Sequence, residues 1–153
     1  MIFKSIQNGA IAGIAGSVVF GAMMGMMGML PMIGPMAGSP TAAAGFFVHL
    51  IISAFIGGSL VLLFRSRVMG PAAGLAFGGT CGVAWWFLGP LTLMPAMMGM
   101  GIGVNWNATA ATAMFPSLIG HIVYGLILGF TYARLTHNGC VRATCEGPVS
   151  GVV

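Results

Sequence analysis

The chain reads as an all-α membrane protein: four transmembrane helices forming a duplicated two-helix repeat, with both termini in the cytoplasm. Three observations predict this. Of its 153 residues, 58% are apolar and only 4% charged, with a mean hydropathy of +1.04; soluble domains carry roughly a quarter charged residues. The apolar residues gather in four stretches of the roughly 20 residues that a helix needs to cross a bilayer. Small residues recur at every fourth position, and the second half of the pattern echoes the first. One four-helix domain then accounts for residues 1–153, with a first repeat over 8–64, a second over 69–134 and a cytoplasmic tail over 135–153.

The first stretch, Gly9 to Leu30, follows Lys4. It is longer than the apolar core of a secretory signal, about 7 to 15 residues, and ends on Met29-Leu30-Pro31 without a small-x-small cleavage site. It is therefore a retained helix. The second runs from Ala43 to Phe64 and stops at Arg65 and Arg67; the third runs from Met69 to Leu93; the fourth runs from Ala113 to Tyr132, before Arg134. Barrel strands would show alternating segments of about ten residues. None occur, and helices are the other way to satisfy backbone groups in lipid.

Lys4, Arg65, Arg67, Arg134 and Arg142 all fall in the N-terminal stub, the middle connection or the tail, while the first and third connections carry no charge. The positive-inside rule places those charged segments in the cytoplasm, so the expected home is a prokaryotic cytoplasmic membrane with N-in, C-in topology. A net charge of +4 spread this thinly is topological information and no nucleic-acid footprint. Trp106, in the second outer connection, suits a headgroup belt.

An offset of 61 superimposes Gly9, Gly13, Ser17 and Gly21 on Gly70, Gly74, Gly78 and Gly82, and an offset of 72 superimposes Gly45, His49, Ser53 and Gly57 on Ser117, His121, Gly125 and Gly129. Each repeat holds two spans, so the halves share one orientation and the expected relation is a twofold axis along the membrane normal. Residues four apart share a helix face, and small-xxx-small stripes let backbones approach closely. Gly9, Gly13, Ser17, Gly21, Gly70, Gly74, Gly78 and Gly82 are the expected packing residues.

His49 and His121 are equivalent in the two repeats, each about two turns inside the outer end of its helix. An ionisable ring within a span is expensive unless partnered and marks a functional site by default. Three readings compete. Each histidine could hydrogen-bond across to a serine or a backbone carbonyl and join two helices. The pair could instead ligate a haem b iron axially, with Gly45, Ser53, Ser117 and Gly125 admitting the flat macrocycle. Or it could bind copper, because Met23, Met24, Met26, Met27, Met29, Met32 and Met36 crowd the outer end of the first repeat and Met94, Met97, Met98, Met100 and Met114 that of the second, and thioethers with imidazoles suit Cu(I). Met26, Met29, Met97 and Met98 are the copper candidates. Methionine also serves as a plain gap-filler.

The remaining residues exclude more than they suggest. Cys81 sits within the third span as a small packing residue, and His137, Cys140 and Cys145 have the wrong spacing for a closed zinc site. Asn107-Ala108-Thr109 fits a glycosylation triplet of no weight here. The one carboxylate, Glu146, lies in the tail, so the spans hold no acid-base pair and no carboxylate ligand. Catalysis is not expected, nor is proton-coupled pumping, with Pro31, Pro90 and Pro95 read as lying at helix ends.

In Val48-His49-Leu50-Ile51-Ile52-Ser53 and in Gly120-His121-Ile122-Val123-Tyr124-Gly125 through Gly129, the sequence resembles a group of small four-helix prokaryotic membrane proteins of uncharacterised function, which carry His-xxx-Gly-xxx-Gly in their even-numbered helices. The resemblance implies the duplicated bundle and no activity. The expected function is a non-catalytic accessory or scaffold subunit of a larger membrane assembly, a redox complex being one candidate, in contact with lipid and with other subunits or copies of itself; a haem or copper carrier is the alternative.

The one-sided charges generate a test. Cys140 and Cys145 are expected to resist an impermeant thiol reagent in intact cells, while a cysteine replacing Asn105 reacts; labelling of the native tail from outside would reverse the topology.

Overall fold

The computed structural model describes residues 2–64 and 70–145, with side chains as far as Thr136. Arg65, Arg67, Met69 and Glu146 lie outside the described residues, as do the side chains of His137, Cys140, Arg142 and Cys145. All the regular elements in the described residues are helical: α1 (Ile2–Met26), α2 (Leu30–Ile33), α3 (Ala42–Phe64), α4 (Pro71–Leu88), α5 (Met94–Met97), α6 (Ala108–Ala113) and α7 (Phe115–Cys145), with a 3-10 turn at Gly34–Ala37 and a π-helical turn at Gly89–Leu93. Four are long and apolar enough to span a bilayer: Ile2–Met26, Ala42–Phe64, Pro71–Met97 and Phe115–Thr136. Their outward faces carry side chains such as Phe47, Ile51, Phe55 and Leu63, each about two-thirds or more exposed, the surface that acyl chains solvate.

Several boundaries differ from those read in the sequence. α1 starts at Ile2, because Ser5, Gln7 and Asn8 weaken a helix without breaking it. It ends at Met26, before Pro31, and just beyond it Gly28, with a φ of 68°, supports paired C-terminal bonds from Gly28 N to Gly25 O at 3.1 Å and from Met29 N to Met24 O at 2.9 Å. α7 continues through the expected tail to Cys145. Pro90 is not at a helix end: the third span widens to a π-helical turn over Gly89–Leu93 and continues as α5. A proline that lacks an amide and crowds the preceding turn is accommodated by such widening, and the Thr92 hydroxyl donates to the Phe87 carbonyl at 2.8 Å.

Two hairpins, α1 with α3 and α4 with α7, are fastened by backbone contact. A Cβ added at Gly13 would strike the Ser53 carbonyl; Gly9 and Gly57 oppose each other's carbonyls in the same way. In the second hairpin Gly74 opposes Gly129 and Gly78 opposes Gly125, again reciprocally, and Gly82 meets the His121 carbonyl. Backbones this close exchange Cα–H···O contacts and dense van der Waals attraction, the forces left between helices where no water drives association. Gly21 lies against the Phe46 ring, Ser17 is fully buried, and Gly70 has no neighbour within the reach of a Cβ.

The hairpins join through α1 and α7, giving the lateral order α3, α1, α7, α4, in which α3 and α4 scarcely meet. A twofold axis exchanging the hairpins would bring α3 to α4 as closely as α1 to α7. The even-numbered spans therefore do not face one another across such an axis. They are bridged at one point, where Tyr124 Oη donates to the Ser53 carbonyl at 3.0 Å. Towards the termini the interior is closed by Leu60, Val61, Leu128 and Tyr132, all 2% exposed or less.

Gly70 and Gly74, one turn apart in sequence, provide a sharp comparison. Gly74→Ala must displace the Gly129 backbone and is expected to destabilise by about 1–3 kcal/mol, the usual cost of overpacking, while Gly70→Ala stays within about 0.5 kcal/mol. Unfolding in one detergent measures both; equal tolerance would overturn the close-packing account.

Candidate functional site

The gap between α3 and α4 is a cavity of about 550 Å³. α1 contributes Phe20 and Met24; α3 contributes His49, Ile52, Ser53 and Ile56; α7 contributes Ser117, His121 and Tyr124. The α4 side is Trp85 and the π-helical turn, whose looser winding exposes Gly89, Pro90 and Leu93 to the cavity. At the end remote from both described chain ends, the short segments that cap the hairpins supply Met29, Met32, Met36, Met94, Met97 and Met98.

The two histidines thus share one cavity, although they come from different hairpins. His121 Nδ1 donates to the Ser117 carbonyl one turn back at 2.8 Å, with the Ser117 hydroxyl at 3.3 Å. A neutral imidazole held by that bond carries its lone pair on Nε2; a Cβ added at Gly89 would lie 3.9 Å from that atom. His49 is 8% exposed, and its Nε2 is buried without a hydrogen-bond partner. Neither ring joins two helices by a hydrogen bond from these atoms, as the packing reading required. An unpartnered buried polar atom costs about 1–3 kcal/mol, so the His49 nitrogen needs another explanation.

Phe20 organises the pair. Its ring centroid lies 5.1 Å from that of His49 and 4.7 Å from that of His121, edge-on to both. It is seated where Gly120 has no side chain, since a Cβ there would meet the Phe20 ring. None of the sequence motifs singles out Phe20. The signal was present: it is the bulky residue on the α1 face otherwise formed by Gly13, Gly16, Ser17 and Gly21, and bulk on a small-residue face must fill a hole.

The methionines divide by depth. Met32 and Met36 are about half exposed, and Met97 and Met98 about 60%; they form the mouth. Met24 is 7% exposed and lies further in. Met29, Met97 and Met98 are brought to the cavity, but Met26 is 82% exposed and is not among its lining residues. At 100° per residue Met24 falls on the face of Phe20 and Gly21 while Met26 falls opposite, so helical phase separates them.

The residues expected to flank a porphyrin are also divided. Ser53 and Ser117 line the cavity, whereas Gly45 packs on the Leu30 carbonyl and Gly125 on that of Gly78. Both glycines are occupied by backbone contacts. A macrocycle between the imidazoles would also compete with Phe20, and no cation lines the cavity to pair with haem carboxylates. The donor set does not fit haem. Among the described residues no three His, Cys, Asp or Glu side chains group for a metal ion, so a shared ion would draw on imidazole and thioether donors.

Trp106 fastens the longer connection over the second hairpin. Its indole donates to Thr92 Oγ1 at 3.0 Å and its ring lies 5.5 Å from Phe87. Trp86 donates to the Met114 carbonyl at 3.0 Å, and the Asn107 side chain caps α6 by accepting from Ala110 N at 2.9 Å.

Comparison with known proteins returns no matching family model, no matching curated protein and no matching solved structure.

The depth order predicts chemical reactivity. In the purified protein, dilute peroxide is expected to oxidise Met97 and Met98 well before Met24, as read by peptide mass spectrometry; early oxidation at Met24 would contradict the burial gradient.

Proposed function

We propose that this is a non-catalytic integral membrane protein that binds a soft monovalent metal ion, Cu(I), in the cavity between α3 and α4. The observation that carries the reading is the meeting of His49, His121 and six methionines from the two capping segments in one cavity, with the His49 Nε2 unpartnered. Neutral imidazole and thioether donors select Cu(I) over harder ions, and the chain offers no carboxylate within its spans for anything else. The positive-inside pattern turns the methionine mouth to the outer side of a prokaryotic cytoplasmic membrane, where a metal ion would be met.

The duplication belongs to the same proposal. It is supported by matching contacts, with Gly13 against Ser53 and Gly57 as Gly78 lies against Gly125 and Gly129. That correspondence pairs Gly13 with Gly78, one turn beyond the sequence offset of 61. An accessory subunit that only fills space accounts for the lipid-facing surface and leaves the cavity and the His49 nitrogen unexplained.

The test is anaerobic titration of the full chain in detergent with Cu(I) held by a coloured chelator. One ion per chain is expected to transfer from the chelator. His49→Ala and His121→Ala should each weaken retention at least tenfold, and the double change should add little, since groups on one centre are not independent. Met26→Leu should change nothing. Failure of the wild-type chain to take Cu(I) beyond a detergent blank would overturn the proposal and return the scaffold reading; a Soret band in the native protein would favour haem instead.

A further inference from the structure

We propose that the cavity between α3 and α4 also takes a ligand from the bilayer itself, an uncharged amphiphile with a hydroxyl-bearing head and a hydrocarbon tail. The head lies at the level of the histidines and the tail leaves between the two helices. This goes beyond the Cu(I) reading and does not depend on it; ion and amphiphile would draw on the same histidines and so exclude each other.

Size and access come first. A water molecule's share of volume is about 30 Å³, and a bare metal ion is smaller, so an ion leaves most of the roughly 550 Å³ to something else. Cavities of about 300–1,000 Å³ suit organic molecules. On the side away from α1 and α7 the walls are α3 and α4, which scarcely meet. Towards the chain ends they are joined by the stacked rings of Phe64 and Phe77, 5.6 Å between centroids. Beyond that contact the gap lies open between them, and Leu93 both lines the cavity and is 48% exposed. Leu93 belongs to the third span, so this edge of the cavity reaches the lipid-facing surface. A molecule already dissolved in the bilayer can enter sideways.

Hydrogen bonding selects the head. His49 lines the cavity and is 8% exposed, and its Nε2 is buried without a partner; a hydrocarbon chain would leave it so. His121 Nδ1 donates to the Ser117 carbonyl at 2.8 Å, so the neutral ring offers Nε2 as an acceptor. That nitrogen can be satisfied only by a donor. A hydroxyl both donates and accepts, and therefore suits His121 Nε2, or His49 Nε2 in either tautomer. A ketone or ester carbonyl only accepts and cannot bond to His121 Nε2. The lining holds no Lys, Arg, Asp or Glu to pair with a charged head, and apolar side chains such as Ile52, Ile56 and Leu93 form much of the rest of the wall.

The test uses the metal-free full chain in nanodiscs of a saturated phosphatidylcholine. It is titrated with 4-decylphenol and with decylbenzene, which has the same shape and no hydroxyl. Saturable binding of one 4-decylphenol per chain is expected, about tenfold tighter than decylbenzene, as one hydrogen bond in a desolvated site supplies. Nitrogen NMR of the histidine rings should show the phenol, and not decylbenzene, shifting the Nε2 resonance of His49 or His121. His49→Phe and His121→Phe keep a flat ring, and at least one should reduce phenol binding to the level of decylbenzene. Equal affinity of the wild type for both probes would mean that any hydrocarbon, a lipid acyl chain included, fills the cavity, and would overturn the hydroxyl assignment. Absence of saturable binding, or a phenol preference that survives each histidine change, would overturn it too. The wild-type comparison needs no variant, so a misfolded variant does not shelter the proposal. Failure of Cu(I) uptake is read in a separate titration without amphiphile, so the two readings fail independently.

Discussion

The reciprocal backbone contacts of glycine in the α1–α3 and α4–α7 hairpins are the constraint on which the rest of the structure depends. Lipid is as apolar as leucine, so these helices gain little from burying leucine against each other. They gain by bringing backbones together, and only a stripe without side chains allows it. Gly9, Gly13 and Gly57 in one hairpin, and Gly74, Gly78, Gly125 and Gly129 in the other, commit each outer helix to its own partner. α3 is spent on α1, and α4 on α7. Neither has a small-residue face left for the other, and the side-by-side order leaves a gap between them. The cavity follows from the way the glycines are distributed.

What fills the walls of that gap is decided by polarity. A cavity of about 550 Å³ in a membrane protein can stay apolar at no cost, and Ile52, Ile56 and Leu93 line part of it in that way. Instead its depth carries His49, Ser53, Ser117, His121 and Tyr124. Tyr124 and Ser53 tie α7 to α3 where the helices are otherwise apart, and Ser117 orients His121. Among the described residues, the buried side-chain polar atoms left without a partner are His49 Nε2 and the Ser17 hydroxyl. The π-helical turn belongs to the same arrangement: Pro90 cannot continue an α-helix undisturbed, and the widened turn brings Gly89 beside the His121 ring in place of a bulkier wall.

The four spans were legible because apolar length and the absence of charge determine them without reference to any partner. That His49 and His121 belong together was legible too, from small residues at fixed distances on the same face, and both line the cavity. The register of the third span was not. A stripe of small residues every fourth position is nearly unchanged by sliding one turn, so Gly70 and Gly74 are equally good matches for Gly9 in sequence; only contact with Gly129 separates them. The arrangement of hairpins was hidden for a related reason, since nothing local says whether α1 or α3 meets the second hairpin. Met26 was misplaced for want of helical phase, which the sequence contained. Phe20 was overlooked because an aromatic residue in an apolar span carries no distinction until Gly120 is seen to make room for it.

Charge sets which ion such a site could hold. The cost of moving an ion out of water grows with the square of its charge; for a monovalent ion in an idealised low-dielectric interior it is already of order 20 kcal/mol. Helix dipoles give little relief, because α1 and the α4–α5 span end at the mouth while α3 and α7 begin there, and opposite partial charges at neighbouring termini cancel. No lining side chain is an anion. A divalent ion would thus face a fourfold larger penalty with no counter-charge to offset it, which argues against zinc or Cu(II) on the same neutral donors. For the proposed ion, a single positive charge is what this polarity can carry.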